Sequence, residues 1–328
     1  MISLVYTKID VYHLFSTLSN LMINSLTLVD KASVLVQQVL MLENQIVSTE
    51  SIIDCLQANY NIKVASLRYL PIGADLNASV YKVRSQDNRL FFLKLKRNYD
   101  QNISLAITKL LYEAGTRQII LPIKTIHGLQ TQPIDNYTII VYPFIEGEDG
   151  FSRKLTNEQW LLLGKALRQV HEVELPSSLR NQIRSETYSN KWRQIVKSLL
   201  IRNDVGPTRD PIGLHLIEFM KKNEAIIKRL LDRANELGQK VIKQSEKFVL
   251  CHSDIHGGNV LIDEKNDIYI VDWDEPMMAP KERDLMFIGG GIANVWNDPQ
   301  EEKFFYEGYG ATEVNKMMLA YYRHERIV

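Results

Sequence analysis

The sequence predicts an α+β fold in two parts: a small one built on a five-stranded antiparallel sheet with one helix, and a larger, mainly helical one. Three observations carry this. Residues 64–145 alternate apolar and polar side chains between turn residues, the period of half-buried strands. Residues 157–244 repeat apolar side chains at helical spacing. Between them, Ile145 to Phe151 form a polar, glycine-bearing break. The divisions that follow are 1–48, 49–146 and 147–328.

Residues 1–48 read as one or two amphipathic helices without a motif, an extension of no evident role. Thr49 to Ile62 read as a short helix, with Ser51 and Asp54 as an approximate capping pair. Val64 to Arg97 are cut by Pro71-Ile72-Gly73 and by Gln86 to Arg89, which predicts a three-stranded meander. A helix follows over Ile103–Ala114, stopped by Gly115. Gln118–Ile126 and Tyr137–Ile145 are read as the fourth and fifth strands. The helical part is expected over 157–172, 189–200 and 212–244, interrupted by a strand pair around residues 248–272.

The composition excludes several classes. Lys plus Arg equals Asp plus Glu at 39 each, so no electrostatic footprint for nucleic acid or an anionic membrane is expected. No run of about 18 uncharged apolar residues suggests a membrane span, and no leader pattern opens the chain. Two cysteines, Cys55 and Cys251, make no disulfide framework; a reducing, cytoplasmic location is the simpler expectation.

The chemistry concentrates in His252-Ser253-Asp254-Ile255-His256-Gly257-Gly258-Asn259 and in Asp272-Trp273-Asp274. Gly257 and Gly258 allow a tight loop. Asp254 can accept a hydroxyl proton. Asn259 and Asp272 together offer hard oxygen ligands suited to Mg²⁺ holding phosphate oxygens. The spacing parallels the catalytic loop and metal triplet of protein kinases. Lys94 ends the apolar run Leu90–Leu93, where such enzymes place the lysine that meets the α- and β-phosphates; Lys96 shares its strand face and is expected to be exposed. The turn before that strand, with Gly73, Asn77 and Ser79, would cover the phosphates. A competing reading sets His252, Asp254 and His256 as alternate ligands of a transition metal.

With "CHSDIHGGNVLI", "IYIVDWDEPMMAPKERDLMFIGGG", "NVWN" and "YEGYG…YYRHERIV" in view, the chain from about residue 50 onward resembles the aminoglycoside phosphotransferase family of kinase-like enzymes. Within it the chain is most similar to the spectinomycin phosphotransferases. The resemblance implies a two-lobed, protein-kinase-like fold with ATP and Mg²⁺. It gives Asp254 the role of base, Asn259 and Asp272 the metal, and Lys94 the phosphates. The backbone of Tyr142, Pro143, Phe144 and Ile145 would meet adenine, and Asp284 would anchor the catalytic loop. The implied acceptor is a small aminocyclitol, spectinomycin first, phosphorylated on a hydroxyl with resistance as the result; the implied state is a monomer, with a dimer as the alternative. Three departures stand out, one being that the family does not usually carry residues 1–48. No glutamate lies mid-helix to pair with Lys94, since Glu113 is near the helix end and Asn102 at its start. The chain also reads as shortened at its C-terminus, lacking terminal helices. A kinase for choline, ethanolamine or a sugar amine, and an inactive truncated remnant, are therefore the alternative expectations.

Overall fold

The computed structural model describes residues 47–72, 77–97, 102–201, 211–291 and 295–328. The helices expected in residues 1–48 lie outside the described residues, apart from Val47 and Ser48. In chain order the elements are α1 (Thr49–Tyr60), β1 (Val64–Leu70), β2 (Ala78–Ser85), β3 (Leu90–Arg97), α2 (Asn102–Glu113), β4 (Gln132–Ile134), β5 (Tyr137–Pro143) and β6 (Gly147–Asp149). There follow α3 (Asn157–Glu172), α4 (Ser177–Arg180), α5 (Lys191–Ile201), α6 (Pro211–Lys222), α7 (Glu224–Val241) and β7 (Val249–Cys251). The last are β8 (Val260–Asp263), β9 (Ile268–Ile270), β10 (Met277–Ala279), α8 (Glu282–Leu285), α9 (Pro299–Tyr309) and α10 (Lys316–Ile327). Among the described residues no helix is long and apolar enough to cross a membrane.

The chain divides into two compact units. One holds the described residues up to Leu155 together with Gly258–Asp274; the other holds Thr156–Gly257 and Glu275–Val328. In the first unit an antiparallel sheet of five strands runs in the order β1-β2-β3-β5-β4. Strand periodicity sorts β3: Phe91, Leu93 and Leu95 are buried in a cluster with Ile52, Leu56 and Tyr60 of α1 and with Val83, Ile139 and Val141. The alternate residues, Phe92, Lys94 and Lys96, take the other face. Ser48 caps α1 by accepting the Ser51 N–H at 3.0 Å, so the cap lies before the helix and is not the Ser51–Asp54 pair. Left-handed Asn61 ends that helix.

The fourth strand is not Gln118–Ile126. That stretch, broken by Pro122, makes an isolated bridge between Ile119 and Ile270, and its bond to β5 runs from the Ile123 N–H to the Val141 carbonyl, while the Ile126 N–H goes to Asn59 of α1. The strand is instead Gln132–Ile134, which turns back on β5 through left-handed Asp135. The polar stretch after β5 carries β6, the edge of a second sheet of three strands ordered β6-β8-β9.

In the second unit, α3 and α9 cross with almost no gap. A Cβ on Gly164 would lie 2.1 Å from the Phe305 carbonyl oxygen, and one on Gly308 would lie 2.1 Å from the Leu161 carbonyl oxygen. Trp160 packs there against Trp296 and Phe305. The helical stretch 212–244 is two helices, since Asn223 breaks it with φ near −108°. Trp192, on α5, is 61% exposed.

Candidate active site

The first unit assembles a charge cluster on the face of its five-stranded sheet opposite the core cluster of α1. Lys94 sits mid-strand in β3, opposite Val80 and Ile140. Its ammonium donates to Asp274 Oδ2 at 2.6 Å and to Asp272 Oδ1 at 3.4 Å. Lys96, two residues on and on the same face, donates to Asp274 Oδ2 at 2.8 Å. Lys96 is thus an ion partner and not a solvated side chain. Glu113, on α2, pairs instead with Lys109 at 3.8 Å.

The electrostatics are reciprocal. Burial works against the Lys94 charge, but the Asp274 and then the Asp272 carboxylates outweigh it and hold its pKa above the ordinary lysine value. Burial likewise opposes ionisation of Asp274, yet Lys94 and Lys96 pull its pKa below the ordinary carboxylate value.

Asn259 and Asp272 flank the β8-β9 hairpin of the same unit, and the Val271 N–H donates to the Asn259 carbonyl at 3.0 Å. Asp272 adopts φ of 63°, left-handed for a residue with a Cβ, and its side chain is 52% exposed. Asn259 is buried at the end of a 3₁₀ turn. A buried amide oxygen and an accessible carboxylate are the donor set of a hard dication, so these residues fit Mg²⁺.

The phosphate-covering turn is seen in part. Gly73 lies outside the described residues, Asn77 precedes β2 and accepts the Arg97 N–H through its carbonyl, and Ser79 is buried in β2. Tyr142 and Pro143 end β5, with Tyr142 opposite Phe92. The Phe144 N–H donates to the Leu90 carbonyl at 3.2 Å, and Ile145 follows, half-buried. The Lys82 ammonium stands 4.1 Å over the Phe144 ring.

The second unit builds the Asp254 loop. Ser253 is also left-handed, at φ 72°, a conformation that costs about 1–3 kcal/mol. The fully buried Asp284 carboxylate holds it there, accepting the Ser253 N–H at 2.7 Å and the His252 N–H at 2.8 Å. Behind it, His171 Nε2 is 3.1 Å from Asp284, and His171 Nδ1 is 2.7 Å from the Tyr309 hydroxyl. Asp284 is thus the anchor that the family resemblance implies. His252 Nδ1 accepts the Asp254 N–H at 3.3 Å.

The Asp254 carboxylate meets Arg326 Nη2 at 2.9 Å and His256 Nε2 at 3.5 Å. Burial disfavours its charge, but the His256 hydrogen bond and the Arg326 charge prevail, leaving its pKa below the ordinary value. The transition-metal reading of His252, Asp254 and His256 fails. Among the described residues, three close ligand atoms come from His171, Cys251 and Asp284, and the Asp284 oxygens already serve the anchor. Gly289 and Gly291 are left-handed, and a Cβ on Gly290 would meet the Met286 carbonyl at 2.4 Å. That trio is close packing, not a phosphate loop. Cys251 is fully buried, and burial raises its thiol pKa, which makes it inert.

Sequence reasoning missed Arg326, His171 and Tyr309. Only long-range packing brings them to the loop, and no local spacing announces it.

A strand lysine held by paired aspartates, and an anchored loop aspartate that stays anionic, are the equipment of a kinase-like phosphotransferase. The chain belongs to the phosphotransferase enzyme family, whose model matches residues 68–317. It is 45% identical to spectinomycin phosphotransferase APH(9)-Ia in its crystal structure with ADP and spectinomycin, with a TM-score of 0.81 over 86% of this chain and 85% of that one. The AMP-bound complex of that enzyme matches at 44% identity and a TM-score of 0.79, over 86% and 87% of the two chains. Protein StrN of Streptomyces griseus is 25% identical over 282 residues, which are 82% of this chain and 85% of StrN.

Proposed function

We propose that this protein transfers the γ-phosphoryl group of ATP to a hydroxyl of an aminocyclitol antibiotic, spectinomycin first, and so confers resistance in the cytoplasm. The observation that carries the phosphotransferase reading is the pairing of Lys94 with Asp272 and Asp274, some 180 residues apart in the chain. The acceptor rests on the 45% identity to an enzyme crystallised with spectinomycin.

In this reading Lys94, kept cationic by its carboxylates, exchanges part of that pairing for the α- and β-phosphate oxygens of ATP. Asn259 and Asp272 would hold Mg²⁺, which supplies neutralising charge to the phosphate oxygens. Asp254 orients the acceptor hydroxyl and takes its proton as the oxygen–phosphorus bond forms; the bond from the γ-phosphorus to the bridging oxygen breaks, and ADP leaves. Asp284 acts at one remove, holding His252 and Ser253 so that Asp254 keeps its place.

The test is ADP release with spectinomycin and Mg-ATP, with the product identified by mass spectrometry. Asp254→Ala is expected to lower kcat by about 10²–10⁴. Undiminished turnover in that variant would overturn the base assignment. Turnover of choline, ethanolamine or a sugar amine, without turnover of spectinomycin, would move the acceptor to a metabolite.

A further inference from the structure

The geometry points to Arg326 as the positioning residue of the Asp254 carboxylate. This rests on reading Asp254 as the base. Arg326 stands on the last turn of α10, and three contacts of its neighbours fix that turn. Arg323 donates to the Met286 carbonyl at 3.1 Å and to the Ile288 carbonyl at 2.6 Å. Glu325 pairs with Arg193 at 3.1 Å, both side chains largely buried, and Arg193 donates in turn to the Ala234 and Tyr188 carbonyls. The segment held by Arg323 carries Phe287, whose ring centroid lies 5.5 Å from the Arg326 guanidinium and 6.2 Å from the His256 ring. One aromatic side chain thus backs both the guanidinium and the imidazole that flank Asp254, with Arg326 Nη2 at 2.9 Å from Oδ1.

This arrangement is not there for stability. Both partners are about two-fifths exposed, at 41% and 42%, and an exposed ion pair contributes little. Its effect is on direction and charge. The planar guanidinium donates along fixed vectors, so a guanidinium held by Phe287 and Arg323 selects one orientation of the carboxylate. Among the described residues His252, His256 and Arg326 are the titratable or charged groups that act on Asp254, and of these only Arg326 offers a planar fork of donors.

The test compares the parent chain with Arg326→Gln and Arg326→Lys. Three measurements are made: the Asp254 carboxyl titration by NMR on aspartate-labelled protein, the melting temperature, and the pH profile of kcat with spectinomycin and Mg-ATP. In Arg326→Gln the Asp254 midpoint is expected to rise, the acid limb of kcat to follow it, and kcat to fall about tenfold with KM for ATP unchanged. Arg326→Lys should restore the midpoint but only part of kcat, because an ammonium lacks the fork. A merely structural role would lower the melting temperature and leave the midpoint in place. An unmoved midpoint with unchanged kcat in Arg326→Gln overturns the proposal. If Arg326→Gln does not fold, Arg326→Lys decides: parental kcat overturns the proposal, and a several-fold fall at the parental midpoint supports it. The NMR titration needs no turnover, so an inactive parent chain would count against the base assignment, and a fixed midpoint against Arg326.

Discussion

Asp284→Asn tests the logic of the loop anchor. The wild-type carboxylate is fully buried and receives bonds of 2.7, 2.8 and 3.1 Å from Ser253, His252 and His171. Asparagine keeps the shape and one carbonyl oxygen, so an NH₂ group must face at least one of these partners. A hydrogen bond to a charged acceptor contributes about 1.5–3 kcal/mol, and a neutral one about 1 kcal/mol. Losing one bond and weakening two gives about 4 kcal/mol, with the strain at Ser253 no longer compensated. At a urea slope of about 2 kcal/mol per molar, the midpoint of the second unit should fall by about 2 M. Tryptophan fluorescence reports it, since Trp160 and Trp296 are both buried in that unit. kcat should fall together with the midpoint. A midpoint within about 0.3 M of the parent would refute the reasoning, because a fully buried anion with three donors cannot be neutralised without cost.

Three further outcomes are expected. Lys94→Met should lower kcat/KM for ATP by about 100-fold or more in steady-state assays, since it removes a preorganised cation from the phosphates. The folded-state pKa of Asp274 lies below its ordinary value, so its contribution is complete above that ordinary value and is lost as pH falls through the lower folded one; melts of the first unit should drop below about pH 4, and Asp274→Asn should flatten that limb. Gly164→Ala places a methyl group 2.1 Å from the Phe305 carbonyl oxygen and 2.6 Å from the Tyr309 nitrogen, both backbone atoms, and should cost about 2–3 kcal/mol by calorimetry.

What was legible in the sequence was local or periodic. The meander of β1 to β3 could be read because alternation and turn residues coincide, and α3 because its helical spacing is unbroken. Gln118–Ile126 misled because apolar content imitates a strand, while Pro122 and the competing pair Gln132–Ile134 decided which segment joins the sheet. Trp192 shows the same limit: it lies at helical spacing, but its side chain is exposed. Asp254, Asn259 and Asp272 stood out by their mutual spacing. Lys96 could have been assigned from its shared face with Lys94, had Asp274 been given a partner. Arg326 could not, since 72 residues of chain separate it from Asp254 and only the packing of α10 joins them.

The two left-handed residues show why propensity rules stop short of the site. Ser253 and Asp272 adopt positive φ where glycine would be relaxed, although Gly257 and Gly258 lie only a few residues from Ser253. At Asp272 glycine would forfeit the carboxylate that meets Lys94, so a backbone cost is accepted to keep the charge in place. At Ser253 the side chain donates to the Glu275 carbonyl at 2.9 Å, while Asp284 captures the N–H. In both places the conformation is fixed by partners distant in sequence, so a local rule would choose a different residue and the chemistry requires the one present.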